Sequence, residues 1–166
     1  MPTLEQRLLR HPFLSGISTE NIKLLAEDAV PMVFQSGEKI FMRGRKADYL
    51  FLVEKGIVDV GLLSGGKDKE VVITRAGKGG SLGWSWAFAP YRWKFDARAK
   101  TRVETIALEG KPILAKMGRY PLLGYELMSH LAESLAQGLE GTRHALVWTL
   151  HEAEKAELSF FPLPIV

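Results

Sequence analysis

Apolar residues recur every three or four positions over residues 3–10 and again over residues 19–28. Each segment is predicted to form a short amphipathic helix. His11-Pro12 ends the first helix, because the residue before a proline disfavours helical backbone. Ser18 is the type of residue that caps a helix N-terminus, and it precedes the second segment. Residues 1–29 are therefore predicted to hold two N-terminal helices.

Between residues 30 and 109 the period of the apolar pattern changes to two, which is typical of half-buried strands. Glycine-containing turns separate the runs, including Ser64-Gly65-Gly66. The pattern indicates seven or eight short antiparallel strands, as in a sandwich or jelly-roll barrel, with flanking helices. The strand candidates are residues 30–34, 39–43, 49–54, 57–63, 70–75, 95–99 and 103–108.

Residues 110–155 return to a helical pattern. A short helix to about residue 117 is followed by a break at Arg119-Tyr120-Pro121 and a long helix over residues 122–155. This helix carries a leucine seam and a stripe of small residues, which favour close contact with another helix. We expect it to touch the barrel on one side and a second subunit on the other. The seam is Leu127, Leu131, Leu135, Leu139, Leu146 and Leu150, and the stripe is Ser134, Gly138, Gly141 and Ala145.

The remaining segment, residues 156–166, is apolar but interrupted by prolines and is predicted to be an extended tail. The whole chain, residues 1–166, is expected to be one domain. No apolar run reaches the length needed to cross a bilayer, and there is no signal-peptide pattern. With no cysteine and a net charge of only +3, the chain is predicted to be cytoplasmic, without thiolate metal sites or a nucleic-acid arm.

Candidate chemistry concentrates between Gly77 and Thr101. Three of the four tryptophans lie there around a glycine-rich turn, together with several cations. Backbone N–H groups of such a turn can hold an anion, and the neighbouring rings and cations would select it. The alternative is that the tryptophans only build a core.

The run K-I-F-M-R-G-R-K-A-D-Y-L-F-L-V-E-K-G-I-V-D-V, residues 39–60, resembles the cyclic-nucleotide-binding domain superfamily. This superfamily includes the catabolite activator and the regulatory subunit of cyclic-AMP-dependent kinase. The segments H-P-F-L-S-G-I-S-T-E-N-I-K-L-L-A and A-R-A-K-T-R-V-E-T-I-A-L resemble its entry helix and its last two strands. The resemblance implies an antiparallel β-roll (a double-stranded β-helix) with a nucleotide pocket, and dimerisation through the long C-terminal helix.

The resemblance fails at the family's phosphate-binding cassette, which corresponds to residues 79–94. In nucleotide-binding members a glutamate after a glycine takes the ribose 2′-hydroxyl, and a later arginine meets the cyclic phosphate. Here Gly83 keeps the glycine, but Trp84 stands in the glutamate's place. Trp93 falls in the arginine's place, or Lys94 when the count starts from Gly83. The resemblance therefore implies a cassette that has changed away from cyclic AMP.

Ligand contacts are predicted at six cassette residues, where Arg92 or Lys94 would have to supply the missing cation. On the long helix, the hydroxyl of Thr142 could reach a ligand across the dimer, or Thr142 could be a packing residue only. The predicted contacts are Gly83, Trp84, Ser85, Arg92, Trp93 and Lys94, with Thr142 on the helix. No metal or cofactor is expected.

The favoured function is a non-catalytic regulatory module that binds a small anionic or aromatic ligand, or a partner protein, and signals through a helix dimer. With no room for a helix-turn-helix after the long helix, direct DNA binding is not expected, and the output would lie on a separate protein. One alternative is a structural dimer whose pocket the aromatic side chains fill. A further alternative is a true cyclic-nucleotide binder with a remodelled cassette.

The sequence does not favour two other functional classes, a cupin-like enzyme and a haem sensor. A cupin-like enzyme needs histidines and a carboxylate inside the barrel, but all four histidines lie outside the predicted strands. A haem sensor would need an axial ligand near the start of the long helix, for which His130 and His144 qualify by residue type only.

Overall fold

The computed structural model describes residues 1–64 and 69–160. Four α-helices are described: α1 (Leu4–Leu9), α2 (Thr19–Ala26), α3 (Gly110–Arg119) and α4 (Pro121–Phe160). Short 3-10 helices lie at Pro12–Leu14 and Ser85–Ala87. The strands in the described residues are β1 (Ala29–Phe34), β2 (Lys39–Phe41), β3 (Tyr49–Lys55), β4 (Val58–Leu62), β5 (Val71–Ala76), β6 (Ser81–Leu82), β7 (Asp96–Ala99) and β8 (Val103–Glu109).

These strands form two antiparallel four-stranded sheets. The first has the order β1-β8-β3-β6 and the second the order β2-β7-β4-β5. Leu52, Val58 and Ile106 of these strands are fully buried and belong to the core. This arrangement confirms the predicted jelly roll with flanking helices.

Three elements differ from the sequence prediction. Strand β6 has only two residues, too few to show an alternating pattern, and it was missed. Helix α4 runs to Phe160, so the prediction that the extended tail begins at residue 156 was wrong. Residues 156–160 contain good helix formers, and the first proline of the tail comes only at residue 162. The rest of the tail, and most of the predicted turn at residues 64–66, lie outside the described residues.

The N-terminal segment is fastened to the turn that leads into β6. The carbonyl of Val53 accepts hydrogen bonds from the imidazole Nε2 of His11 (3.1 Å) and from the backbone N–H of Gly79 (2.8 Å). Gly79 has a positive φ of 86°, and a Cβ there would lie 2.9 Å from the ring of Pro12. His11 and Pro12 therefore hold the start of the cassette in place.

The first turns of α4 belong to the core of the roll-bearing unit. Leu123, Leu127 and Leu131 are buried, and the Glu126 carboxylate accepts a hydrogen bond of 2.7 Å from Asn21 on α2. Two leucines of the predicted intersubunit seam thus pack within their own chain.

Beyond Ala132 the helix belongs to a second compact unit, which begins at Glu133. Its apolar residues are largely exposed: Leu139 is 70% exposed, Leu146 58% and Leu150 57%.

The buried imidazole of His11 makes stability depend on pH. Burial lowers the pKa of His11 below its ordinary value of 6.5, and the hydrogen bond to Val53 offsets this only in part. The unfolded chain therefore takes up a proton at a higher pH than the folded chain does, and the stabilisation is complete only above about pH 6.5. We predict a smaller free energy of unfolding at about pH 5.5 than at about pH 7.5, measured by urea denaturation.

His11→Gln should reduce this difference between the two pH values, whereas His151→Gln, a change at an exposed position of α4, should leave it unchanged. An unaltered pH dependence in His11→Gln would contradict the assignment.

Candidate ligand site in the roll

The cassette, residues 79–94, contains β6, the shortest of the strands given above. Leu82 of β6 pairs with Phe51 of β3, and Gly83 then turns the chain with a φ of 82°. The 3-10 helix Ser85–Ala87 comes next. Because residues other than glycine rarely adopt this backbone conformation, Gly83 fixes the direction in which the cassette leaves the sheet.

The indole of Trp93 lies inside this turn. Its side chain is only 5% exposed, and its ring stacks on Phe41 with the ring centroids 4.0 Å apart and the planes 14° from parallel. A Cβ on Gly83 would lie 2.5 Å from Cζ3 of Trp93. The ring is therefore held between Phe41 and a backbone position that admits only glycine.

A cavity of about 350 Å³ lies beside this ring, and we call it the roll cavity. Its aromatic wall is made by Phe41, Tyr49, Phe51 and Trp93, and the ring of Phe51 lies 5.7 to 6.4 Å from those of the other three. The remaining lining residues are Lys39, Ile40, Met42, Arg45, Lys46 and Asp48.

The rim of the roll cavity is cationic. Three cations and one carboxylate give its lining a net charge of +2 at neutral pH. The Lys46 ammonium pairs with the Asp48 carboxylate at 2.6 Å, and this hydrogen bond raises the pKa of Lys46. Lys39 and Arg45 form no ion pair with any residue that the structure describes. They are therefore free to meet an anionic ligand.

Among the predicted cassette contacts, Trp93 lines the roll cavity and Gly83 lies against its ring. Trp84 is half-buried with its ring centroid 6.4 Å from that of Phe88, outside the cavity lining. Ser85 is buried, also outside the lining.

Arg92 and Lys94 are not among the residues that line the roll cavity. The guanidinium of Arg92 is exposed and donates to the carbonyl of Gly44 (2.8 Å). Lys94 is exposed. Thr142 belongs to the unit that begins at Glu133, and its hydroxyl donates to the carbonyl of Gly138 (2.9 Å) on the same helix.

Sequence reasoning missed most of the cavity wall. Tyr49 and Phe51 were seen only as part of a family pattern, and Phe41 was not singled out. A signal was present, because residues two apart on a strand face the same side. Tyr49 and Phe51 stand in this relation on β3. That Phe41 on β2 would face them depends on how the two sheets pack, which one strand's pattern does not show.

We call residues 44–48 the strap. Backbone hydrogen bonds join this segment to the end of the cassette and to the start of α3. The N–H of Gly44 donates to the carbonyl of Trp93 (2.9 Å), and the N–H of Ala47 donates to that of Tyr91 (2.8 Å). At its other end, the carbonyl of Asp48 accepts from the N–H of Gly110, the first residue of α3 (2.7 Å). Backbone hydrogen bonds therefore link Trp93, the strap and the first residue of α3.

Within residues 1–64 and 69–160, no cluster of three or more histidine, aspartate or glutamate side chains could hold a metal ion. In the same residues, no helix is long and apolar enough to cross a membrane.

A family model described as the cyclic nucleotide-binding domain matches residues 31–120, from β1 to the end of α3. The chain belongs to the cyclic nucleotide-binding domain family. No match was found among curated proteins.

Solved structures share the cyclic nucleotide-binding fold. A putative cyclic nucleotide-binding protein from Geobacter metallireducens is 26% identical, with a TM-score of 0.73 over 84% of this chain and 99% of that one. A cyclic nucleotide-binding domain from Methylobacillus flagellatus is 15% identical, with a TM-score of 0.77 over 90% and 87%. A regulatory subunit of a cAMP-independent protein kinase A from Trypanosoma brucei is 27% identical, with a TM-score of 0.57 over 76% of this chain and 50% of that one.

The contact between Gly83 and Trp93 can be tested with a single methyl group. We predict that Gly83→Ala lowers the free energy of unfolding by about 1–3 kcal/mol, because it adds both an unfavourable φ and a clash with the indole ring. Gly118→Ala is the matched control: a Cβ there meets nothing within 4 Å, and alanine favours the helix. Chemical denaturation of the two variants should show opposite signs, and a neutral Gly83→Ala would contradict the packing.

Proposed function

We propose that this cyclic nucleotide-binding domain is a non-catalytic regulatory module that does not respond to ordinary cyclic AMP. Its roll cavity takes a compact aromatic anion instead. The observation that carries the proposal is the position of Trp93, whose buried indole is stacked on Phe41 against Gly83. In nucleotide-binding relatives the sequence resemblance places an arginine at this point.

A cyclic phosphate would lack its partners in such a site. A buried phosphate is stable only when cations and hydrogen-bond donors replace its water. Arg92 is bonded to the carbonyl of Gly44 and Lys94 is exposed, so neither supplies the missing charge in this arrangement. With tryptophan also in the glutamate's place, the lost contacts amount to roughly 4–6 kcal/mol, a thousandfold or more in affinity.

The lining of the roll cavity supports a different ligand class. Aromatic side chains form its wall and Lys39 and Arg45 stand unpaired at its rim among the described residues. Flat rings bind well between aromatic side chains, and an anionic group would lie near the two cations. A planar aromatic carboxylate or phosphate satisfies both features.

A change of ligand response has a parallel in a similar protein. The Trypanosoma brucei relative is described as a regulatory subunit of a cAMP-independent kinase, and a triple mutant of it as bound to cAMP in the A site. That description supports a regulatory role without a response to cyclic AMP in a chain that keeps this fold.

The output would pass through the strap and α3 to a homodimer formed by α4, and from there to a separate protein. A ligand shifts such an equilibrium only by contacting two states unequally. Trp93 is placed to sense a ligand in the roll cavity, and the strap joins it to Gly110. Leu139, Leu146 and Leu150 supply exposed apolar surface at coiled-coil spacing.

A cytoplasmic location remains a prediction from the sequence.

A structural dimer is the second candidate function. The near-complete burial of Trp93 favours this candidate, because a buried indole would fill the position of the family's nucleotide site. Titration with an aromatic anion that does not fluoresce like indole, such as benzoate, separates the two. A regulatory module should show a saturable change in tryptophan fluorescence, and a filled scaffold should show none.

The cassette assignment predicts a gain of function. In isothermal calorimetry the natural protein should show no binding of cyclic AMP, whereas the double variant Trp84→Glu, Trp93→Arg should acquire measurable affinity. The single variant Trp84→Glu is the control and should not bind, because it still lacks the phosphate cation. A melting curve establishes that the double variant is folded, since arginine there replaces a packed indole. A folded double variant without affinity would contradict the assignment.

Dimerisation through α4 is tested with Leu146→Glu. Because a charge at a coiled-coil seam is strongly unfavourable, we predict that this variant is monomeric in native mass spectrometry while the natural protein is a dimer. Gln137→Glu introduces the same charge at another exposed position of α4 and should remain dimeric. Dimers of equal stability in both variants would contradict the proposed interface.

A further inference from the structure

A second cavity lies on the other side of the strap from the roll cavity. It has a volume of about 300 Å³, in the range of small-molecule sites, and we call it the junction cavity. Its walls come from three parts of the chain: the strap, the cassette and the start of α3. Lys46 and Asp48 of the strap line both cavities.

The cassette contributes two aromatic side chains to the junction cavity. Trp86 is 1% exposed, and its indole Nε1–H is buried without a hydrogen-bond acceptor among the residues that the structure describes. Buried donors without an acceptor are rare, because each forfeits its hydrogen bonds to water. A ligand atom that accepts this hydrogen bond would remove the deficit, and because the N–H is buried it would reach it through a small shift of the side chains that line the junction cavity.

The second ring is that of Tyr91, whose backbone adopts a φ of 55°. A bulky residue rarely occupies this region. It is held there by backbone hydrogen bonds of 2.8 Å from Ala47 to its carbonyl and from its N–H to Phe88. Such outliers concentrate at binding and catalytic sites, where the surrounding structure enforces them.

Charge distinguishes the two cavities. The junction cavity is lined by two lysines, Lys46 and Lys111, and two carboxylates, Asp48 and Glu109, so its net charge is zero at neutral pH. The roll cavity has a net charge of +2. With Leu114 and the two aromatic rings completing an apolar wall, the junction cavity suits an uncharged ligand.

We propose that the junction cavity is a second binding site, for an uncharged planar heteroaromatic molecule that accepts a hydrogen bond from Trp86. Its ligand would contact the cassette and α3 together. Gly110 already packs on Trp86, since a Cβ there would lie 3.0 Å from Cβ of Trp86. Occupancy therefore favours the arrangement in which the cassette is docked on α3. The site does not require the roll cavity to be occupied.

Benzimidazole is a suitable probe, because it is planar, uncharged at neutral pH and carries a ring nitrogen that accepts a hydrogen bond. Indole has the same shape without that acceptor and serves as the matched ligand. The proton–nitrogen correlation spectrum of the full chain contains one indole N–H signal for each of the four tryptophans. The Trp86 and Trp93 signals, assigned through Trp86→Phe and Trp93→Phe, report on the junction and roll cavities separately.

We expect benzimidazole to shift the Trp86 signal saturably and to leave Trp93 and Trp148 nearly unchanged, with indole binding about tenfold more weakly. Leu114→Trp, which fills the cavity from the α3 side, should abolish the shift of Trp86. In Trp86→Phe, ligand-observed saturation transfer should show benzimidazole binding weakened by about tenfold.

Three results would overturn the proposal. They are the absence of a saturable shift at Trp86, a shift that is larger at Trp93, and a Trp86 shift that persists in Leu114→Trp. None of these results bears on the roll cavity's own ligand, which the fluorescence titration with benzoate tests independently.

Discussion

The stacking of Trp93 on Phe41 against Gly83 is the contact on which the rest of the site depends. Offset stacking of two large rings is worth about 0.5–1.5 kcal/mol beyond the apolar area it buries. Here it also places an uncharged ring at the point where the family resemblance expects a guanidinium. The same ring forms part of the aromatic wall of the roll cavity.

The strap connects the loop that carries Trp93 to the start of α3. Its backbone is hydrogen-bonded to Trp93 and Tyr91 at one end and to Gly110 at the other. Backbone hydrogen bonds at successive positions leave little freedom for one end to move alone. Two residues of the strap, Lys46 and Asp48, line both the roll cavity and the junction cavity.

Most of the fold could be predicted from the sequence because short apolar segments alternate with turns, and glycines such as Gly37, Gly44 and Gly56 mark many of these turns. Strand β6 was not predicted, because two residues are too few to show an alternating pattern. The predicted end of α4 was too early, because the prolines at residues 162 and 164 were given more weight than the helix propensity of residues 156–160. The family resemblance put either Trp93 or Lys94 in the arginine's place, and this assignment stays a prediction. The stacking of Trp93 on Phe41 could not be predicted, because Phe41 lies on a strand distant in sequence and the contact depends on tertiary packing. The junction cavity was equally invisible, since its walls come from residues 46–48, 86–91 and 109–114.

We propose that the indole of Trp93 occupies the position at which nucleotide-binding relatives carry the phosphate-binding arginine. A crystal of the natural protein soaked in concentrated cyclic AMP tests it most directly. The account predicts that the ring of Trp93 still lies on Phe41 and that no electron density for a cyclic phosphate appears beside Gly83. Density for a sugar and cyclic phosphate next to Gly83 and Trp84, with Trp93 displaced, would contradict it.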